Sequence, residues 1–505
     1  MPLMRRDILA LPAIVAAASL SRPASAQAGG GVLRIVVGSN LRMLDVHKTT
    51  TGEEYIYDVL VFNGLTRMRE DMQIEPDLAE SWSYSEDLKT WTFRLRRGVK
   101  FHGGREMEAA DVIANFRRIM DPETASAARS NYDMIAGMDA PDAYTVVFNL
   151  SYPYGGFADI LSDRQAKIVP REAFGTQATQ PVGTGPFMFR SYTPGDRMLL
   201  ARNPDYFEPG KPRLDGIEIR IMPEMAVRVA ALQAGDVDVV WDLGPENVRA
   251  LRDNRAVRVE SIATSTWDGA ILNNQTGPFS DIRVRQALHL AVPKADIVEL
   301  VLFGEGAPTL SPIPPTHPFF AGDVPIPARA DVAGARRLLA QAGHARGIRV
   351  PIVVPVGRPL RERLGVALQQ LGRPAGFEFE VQRVPYARYS AEVSGKAPIY
   401  IDGFFARPTV DTALYPFLHS RGSWNTRLWH YNEPRVDAAL EAARLTGDVA
   451  QQRTHYQAMQ RVLAENPASF FAYTMNFACG YRTTVRDIAT HPMRWFDLRN
   501  AAVAS

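Results

Sequence analysis

The sequence predicts an α/β protein built from more than one lobe, and three observations carry that prediction. The 505 residues exceed what a single hydrophobic core usually organises. From about residue 187 onward, strand-like and helix-like segments alternate, the pattern of a parallel or mixed sheet. Between 348 and 401 the order is strand, helix, strand, helix, strand, which marks a second, doubly wound lobe. Hydrophobic residues make up 46% and charged residues 22%, an ordinary globular composition with enough apolar mass for large cores.

Taken in order, Leu33–Val37 reads as a first strand, and Glu53–Phe62 as a helix with Tyr55, Ile56, Val59, Leu60 and Phe62 near one face. In Thr90–Arg96, Trp91, Phe93 and Leu95 alternate with Thr92, Arg94 and Arg96, the period of a strand with one buried side. Asp111–Met120 carries Val112, Ile113, Phe116, Ile119 and Met120 at helical spacing. Glu108 and Asp111 suit the dipole of its first turn, and Pro122 stops it. Tyr144–Leu150 alternates again. Pro181–Phe187 reads as turns, followed by strands at Phe187–Tyr192, Arg197–Arg202, Leu214–Ile221, Val237–Trp241 and Val257–Ile262, with helices at Glu224–Ala234 and Pro245–Arg252. A further strand ends at Ala270–Asn274, and Asp281 caps a helix through Val292. The proline-rich Gly304–Ala328 has no periodicity and reads as a long surface crossing. Asp331 caps the next helix and Gly343 closes it. The doubly wound run is Ile348–Val354, Leu360–Leu371, Phe377–Val384, Tyr386–Val393 and Ile399–Ile401. Helices at Pro434–Leu445 and Val449–Glu465 precede strands at Ser469–Met475 and Phe477–Tyr481.

The N-terminal segment 1–26 reads as a signal peptide. Arg5–Arg6 precede an apolar run, Ile8–Leu20, that Pro12 interrupts and that is short for a bilayer span. Ala24-Ser25-Ala26 or Ala26-Gln27-Ala28 is the cleavage site, and both a twin-arginine and a general secretory signal fit. With no cysteine there for a lipid anchor, an exported protein fits the periplasm of a double-membraned bacterium, or secretion, and the periplasm is the expected location. The formal charge of +2 falls to about zero once Arg5, Arg6, Arg22 and Asp7 are removed, which argues against nucleic acid or an anionic membrane as the main partner. Cys479 is the only cysteine, so no intramolecular disulfide forms, and its apolar, strand-like surroundings read as inert core.

Enzyme signatures are missing. The chain has no G-x-x-x-x-G-K-[ST], H-E-x-x-H or G-x-S-x-G. Gly183-Thr184-Gly185 looks like a fragment of a phosphate loop, but Pro186 removes an N–H such a loop would use, so it reads as a turn. The nine histidines contain no pair at metal-ligand spacing, and His102, before Gly103-Gly104, reads as an exposed turn residue. No catalytic residue, cofactor or metal is expected.

One stretch, Pro398–Tyr431, concentrates unusual chemistry. A short strand, Ile399–Ile401, is expected to break at Gly403. Phe404, Phe405, Arg407, Pro408, Asp411, Trp424, Asn425, Trp429 and Tyr431 follow. Such a segment suits the rim of a cleft, and equally a loop whose aromatics pack on a neighbour.

Four blocks resemble the family 5 extracellular solute-binding proteins of ABC importers, the dipeptide, oligopeptide and nickel binders. They are Pro76-Asp77-Leu78-Ala79-Glu80-Ser81-Trp82, continuing to Ala110-Asp111-Val112; Val182-Gly183-Thr184-Gly185-Pro186-Phe187, leading to Asn203-Pro204-Asp205-Tyr206; Ala231-Leu232-Gln233-Ala234-Gly235-Asp236-Val237-Asp238; and Asp281 with Arg283-Val284-Arg285-Gln286-Ala287-Leu288. The resemblance implies a two-lobe periplasmic binding protein fold with a hinge and an interlobe cleft. Lobe I would be 30–272 plus 476–505 and lobe II 273–475. The implied function is capture of a peptide or similar small solute by a monomer, delivered to a membrane permease with a separate ATPase. A non-transport ligand sensor and a periplasmic hydrolase are the alternatives.

The resemblance also implies ligand-binding positions. Family peptide binders place an acid four residues after a strand-end glycine; the run from Gly403 puts Arg407 there, with Asp411 as the nearest acid. Arg407 either meets an anionic ligand or pairs with Asp411 inside the protein. Val356-Gly357-Arg358-Pro359-Leu360 resembles a segment that meets a ligand carboxylate through Arg358. Thr51 and Tyr55 lie on a loop opening a helix whose backbone N–H groups would face an anion, and Trp267, Phe404 and Trp424 are candidates for apolar contact.

Overall fold

A computed structural model describes residues 30–504, so the signal segment expected at 1–26 lies outside the described residues. The main sheet is built from ten strands numbered here along the chain, with a short eleventh at one side. They are β1 (Val32–Val37), β2 (Phe187–Thr193), β3 (Arg197–Arg202), β4 (Gly216–Ile221), β5 (Val239–Val240) and β6 (Val257–Leu272), then β7 (Ile348–Pro355), β8 (Phe377–Val384), β9 (Ile399–Phe404) and β10 (Phe470–Arg482). Their spatial order is β8-β7-β9-β6-β10-β5-β1-β4-β3-β2. Parallel pairs join β1 to β4 and β5 on one side and β7 to β8 on the other. Antiparallel β6 and β10 lie between them and belong to both halves.

The continuity of β6 and β10 departs from expectation. The sequence reading divides each into two strands, and the structure joins them. Ladder pairing runs from Val257 opposite Arg482 to Ala263 opposite Asn476, then resumes at Trp267 opposite Thr474. Four steps on β6 thus match two on β10, an irregularity of the bulge kind that bends and twists a strand. Thr264 supports it: its hydroxyl donates to the Met475 carbonyl (2.8 Å) and accepts from the Thr266 N–H (3.0 Å). These two strands are the crossings between the halves.

Cores sit on both faces of each half. Leu33, Ile35 and Val37 of β1 pack with Ile56 and Leu60 of the helix Gly52–Val61, as their spacing predicts. Val350, Ile352 and Val354 of β7 pack with Leu364 and Leu368 of the helix Pro359–Gly372. A separate antiparallel sheet orders Ala79–Tyr84, Thr90–Leu95, Thr145–Leu150 and Ile135–Asp142. The helix Ala109–Met120 covers it with Val112, Phe116 and Ile119 against Phe93 and Phe148. Asp238, in the third family-like block, accepts the Arg34 backbone N–H and its side-chain Nε and Nη2 at 2.8–2.9 Å, so this acid ties β1 to the strand beside it. Asp281 caps the helix Ile282–Ala291 by accepting the Arg283 N–H (2.8 Å), as expected.

Two local expectations are corrected. The stretch after Gly304 is not a surface crossing throughout: Gly306–Pro308 pairs with β10, and Thr309, Ser311 and Ile313 are buried. Its backbone tolerates burial because Lys294 Nζ donates to the Thr309 carbonyl (2.5 Å) and the Thr309 and Ser311 hydroxyls satisfy neighbouring groups. His102 is not a free turn residue: its ring accepts from the Gly183 N–H (3.3 Å) and lies 3.0 Å from the Gly185 carbonyl. Burial pushes its pKa down to about 4. Among the described residues no helix is long and apolar enough to cross a membrane.

Candidate functional site

A cavity of about 1010 Å³ opens between the two halves. Its walls come from the helix Gly52–Val61 and the segment around Arg164 on one side, and from β9, the loop after it and the start of the helix Pro359–Gly372 on the other. Tyr55, Trp267, Arg358, Phe404, Arg407, Asp411 and Trp424 all line it. Thr51 does not, although Thr50 does.

The anion site expected at the start of the first helix is already occupied. Glu54 accepts the N–H groups of Thr50 (2.6 Å) and Thr51 (2.9 Å), and its other oxygen accepts those of Arg42 and Met43. The Glu54 carboxylate therefore already takes the N–H groups that lead into the helix.

The aromatic wall is a packed cluster. Trp267, only 2% exposed, sits against Phe471 (4.7 Å between ring centres) and Phe404 (5.7 Å). Phe404 also meets Phe417 (4.6 Å) and Trp424 (5.3 Å). Trp424 remains half-buried and carries the Arg427 guanidinium over its face at 4.8 Å. The break expected at Gly403 is absent: β9 continues through it to Phe404, pairing Gly403 with Asp268 of β6. Glycine is required there because a side chain would run into the Trp267 carbonyl and the Asp268 carboxylate.

The charges organise the rest. Asp411 is not paired with Arg407. Arg444 grips both its oxygens, at 2.8 and 2.9 Å, and the Tyr154 hydroxyl adds a third bond at 3.2 Å. Burial opposes the Arg444 charge, but Asp411 outweighs it and moves the pKa up. Arg361 bridges Asp268 (2.9 Å) and Asp402 (2.6 Å) and donates to the Gly403 carbonyl (2.7 Å). Arg494 holds Asp242 at 2.7 Å. By contrast, Arg358 is exposed, with its guanidinium over the Tyr386 ring at 5.2 Å, and no carboxylate partners it among the described residues. Arg407 has no hydrogen-bond partner for its buried Nε. Burial first, and the neighbouring Arg164 charge second, push its pKa down. Arg164 lies 4% exposed, with its guanidinium 3.8 Å over the Tyr55 ring.

Sequence reasoning missed Arg164, Arg361 and Arg444. Arg361 lies three residues past Arg358 in the same helix start, and the local pattern does not say which of the two turns inward. Arg164 and Arg444 sit in segments with no unusual composition, so only tertiary contacts reveal them.

Comparison with known proteins locates the chain among others. The model for bacterial extracellular solute-binding proteins, family 5 Middle, matches residues 73–425. Glutathione-binding protein GsiB of Escherichia coli strain K12 is 28% identical over 443 residues, covering 85% of this chain and 86% of that protein. Protein XP55 of Streptomyces lividans is 30% identical over 433 residues, covering 81% and 78%. The structure of MoaA from A. tumefaciens R10 with mannopinic acid superposes with a TM-score of 0.75 at 28% identity, covering 95% of this chain and 99% of that one.

Proposed function

Because the chain belongs to the family 5 bacterial extracellular solute-binding proteins, which serve ABC importers, we propose that it captures a small acidic solute between its lobes and presents the closed form to a membrane permease driven by a separate ATPase. The observation that carries this reading is the charge of the cavity wall: Arg358 and Arg407 face it without a carboxylate partner among the described residues. A guanidinium in a partly desolvated cleft is a strong bidentate donor to a carboxylate. Relatives named for glutathione and solved with mannopinic acid support a solute of this class. The cavity volume of about 1010 Å³ leaves room for a di- or tripeptide-sized molecule.

A solute touching both halves favours the closed state by the difference in its contacts with the two states. The hinge in this reading is the irregular stretch Thr264–Trp267 with the facing part of β10. The lobe division expected at 272 would then fall a few residues earlier. In this reading the protein works as an exported monomer, and Tyr55, Trp267, Phe404 and Trp424 supply apolar contact while Asp411 acts structurally through Arg444.

A thermal-shift screen of acidic, neutral and basic solutes, followed by calorimetry on Arg358→Ala and Arg407→Ala, tests this. Acids should raise the melting temperature, since a ligand of the folded state stabilises it. At least one variant should weaken binding by about tenfold or more. Unchanged affinity in both removes the arginines from the site; a screen answered only by neutral or basic solutes overturns the acid class.

A further inference from the structure

On the reading that the cavity takes an acidic solute, we propose that Arg164 and Arg407 form a two-sided clamp for one carboxylate, and that the solute held there carries no free ammonium group.

The clamp rests on two arginines brought from opposite sides of the cleft. Arg164 approaches from the half that carries the small antiparallel sheet, and Arg407 from the loop after β9. Both line the same cavity beside Tyr55. Neither is neutralised by a close ion pair among the described residues. The nearest carboxylate to Arg164, that of Asp163, stands 3.8 Å away, and the Nε atoms of both arginines are buried without an acceptor. Two like charges held together out of water repel, each has a buried Nε with no acceptor, and Asp163 is the one carboxylate whose charge reaches both. A carboxylate offers two oxygens and one negative charge, so a single group can satisfy both guanidinium groups. It would be bound from both lobes at once, which couples its capture to closure.

The exclusion of an ammonium group rests on the acids. Asp242, Asp268, Asp402 and Asp411 each have an arginine nitrogen within 2.9 Å. The remaining acid on the wall, Asp133, is exposed at the rim beside Tyr152 and Arg444. An ammonium taken into this cavity would lose its water and meet arginines, and Asp133, the one wall acid without an ion pair among the described residues, lies exposed where it does little to replace that hydration. Acids whose nitrogen is acylated, or which have none, avoid that cost.

The test takes acids in pairs: glutamate with N-acetylglutamate, and Ala-Glu with N-acetyl-Ala-Glu, by calorimetry on the full exported chain. The acetylated member should bind about tenfold or more tightly than its free-amine parent. Arg407→Asp should reverse that preference. Arg407→Met serves if Arg407→Asp does not fold. It should keep or raise the melting temperature of the ligand-free protein, because an unpaired buried charge is gone, while losing most affinity for the acetylated probes. Equal or tighter binding of the free amines overturns this inference and leaves the acidic-solute reading standing. Failure of every acid to bind overturns both.

Discussion

Lys294 is a buried cation whose interaction is a hydrogen bond to the Thr309 carbonyl, with its Nζ 5.1 Å from the Phe470 ring. Burial pushes its pKa down to about 7. The adjacent His289 is held neutral, since burial first and the Lys294 charge second push its pKa well below the ordinary value. Between pH 7 and the usual lysine pKa of about 10.4, the unfolded chain binds a proton at this position that the folded chain does not. Stability attributable to Lys294 therefore rises with pH across that window, and below pH 7 the penalty is at its full size. Lys294→Met should abolish this slope. The stability gap between variant and parent should shrink from pH 7 to pH 10 by on the order of 1 kcal/mol per unit, read from urea unfolding. A gap that does not change with pH would refute the buried charge. Little of this is legible from the residues themselves: Lys294 looks like any lysine at a helix start. Cys479 differs, because its apolar neighbours already indicate core, and its burial follows.

Periodicity makes most strands and helices legible, but it cannot say where two strands lie too close for a side chain. Gly403 is such a place. β9 approaches β6 so closely that a Cβ on residue 403 would meet the Trp267 carbonyl and Asp268. Gly403→Ala should therefore cost about 1–3 kcal/mol, as overpacking does, and displace the Arg361–Asp268 pair that forms one cavity wall. Denaturant unfolding measures the loss, and a cost under 0.5 kcal/mol would show that the strands can part. A glycine in a polar, aromatic segment signals a turn to a reader of sequence, so the predicted break and the observed strand differ for a tertiary reason. The division of β6 and β10 into shorter strands has the same origin. Polar residues such as Ser261, Thr264 and Asn476 lower the local strand signal, yet side-chain bonds to Glu305 and Met475 keep that stretch paired.

At the scale of the molecule, the two halves touch along one wall of the cavity. Tyr154, 1% exposed, donates to Asp411, while the Gly155 N–H donates to the Arg444 carbonyl (3.1 Å). The Arg444 guanidinium lies 3.1 Å from the Tyr415 ring centre and 5.7 Å from that of Tyr154. Gly155 permits the approach, since a Cβ there would strike the Thr446 carbonyl. On the hinge-closure reading proposed above, these contacts favour the closed arrangement before any solute arrives. Tyr154→Phe removes one hydrogen bond that exists only when the halves meet. It should enlarge the ligand-free radius of gyration in solution scattering and weaken solute binding by about two- to tenfold. Scattering indistinguishable from the parent would dismiss the contact as a closure element. The sequence by itself determined the α/β class, most of the regular elements and the family, because periodicity, capping and block spacing are local properties. Only the tertiary structure decided that Asp411 belongs to Arg444, that Arg164 stands beside Arg407 and that two continuous strands cross between the halves. Charge pairing and strand approach depend on segments hundreds of residues apart, whose relative placement no local pattern encodes.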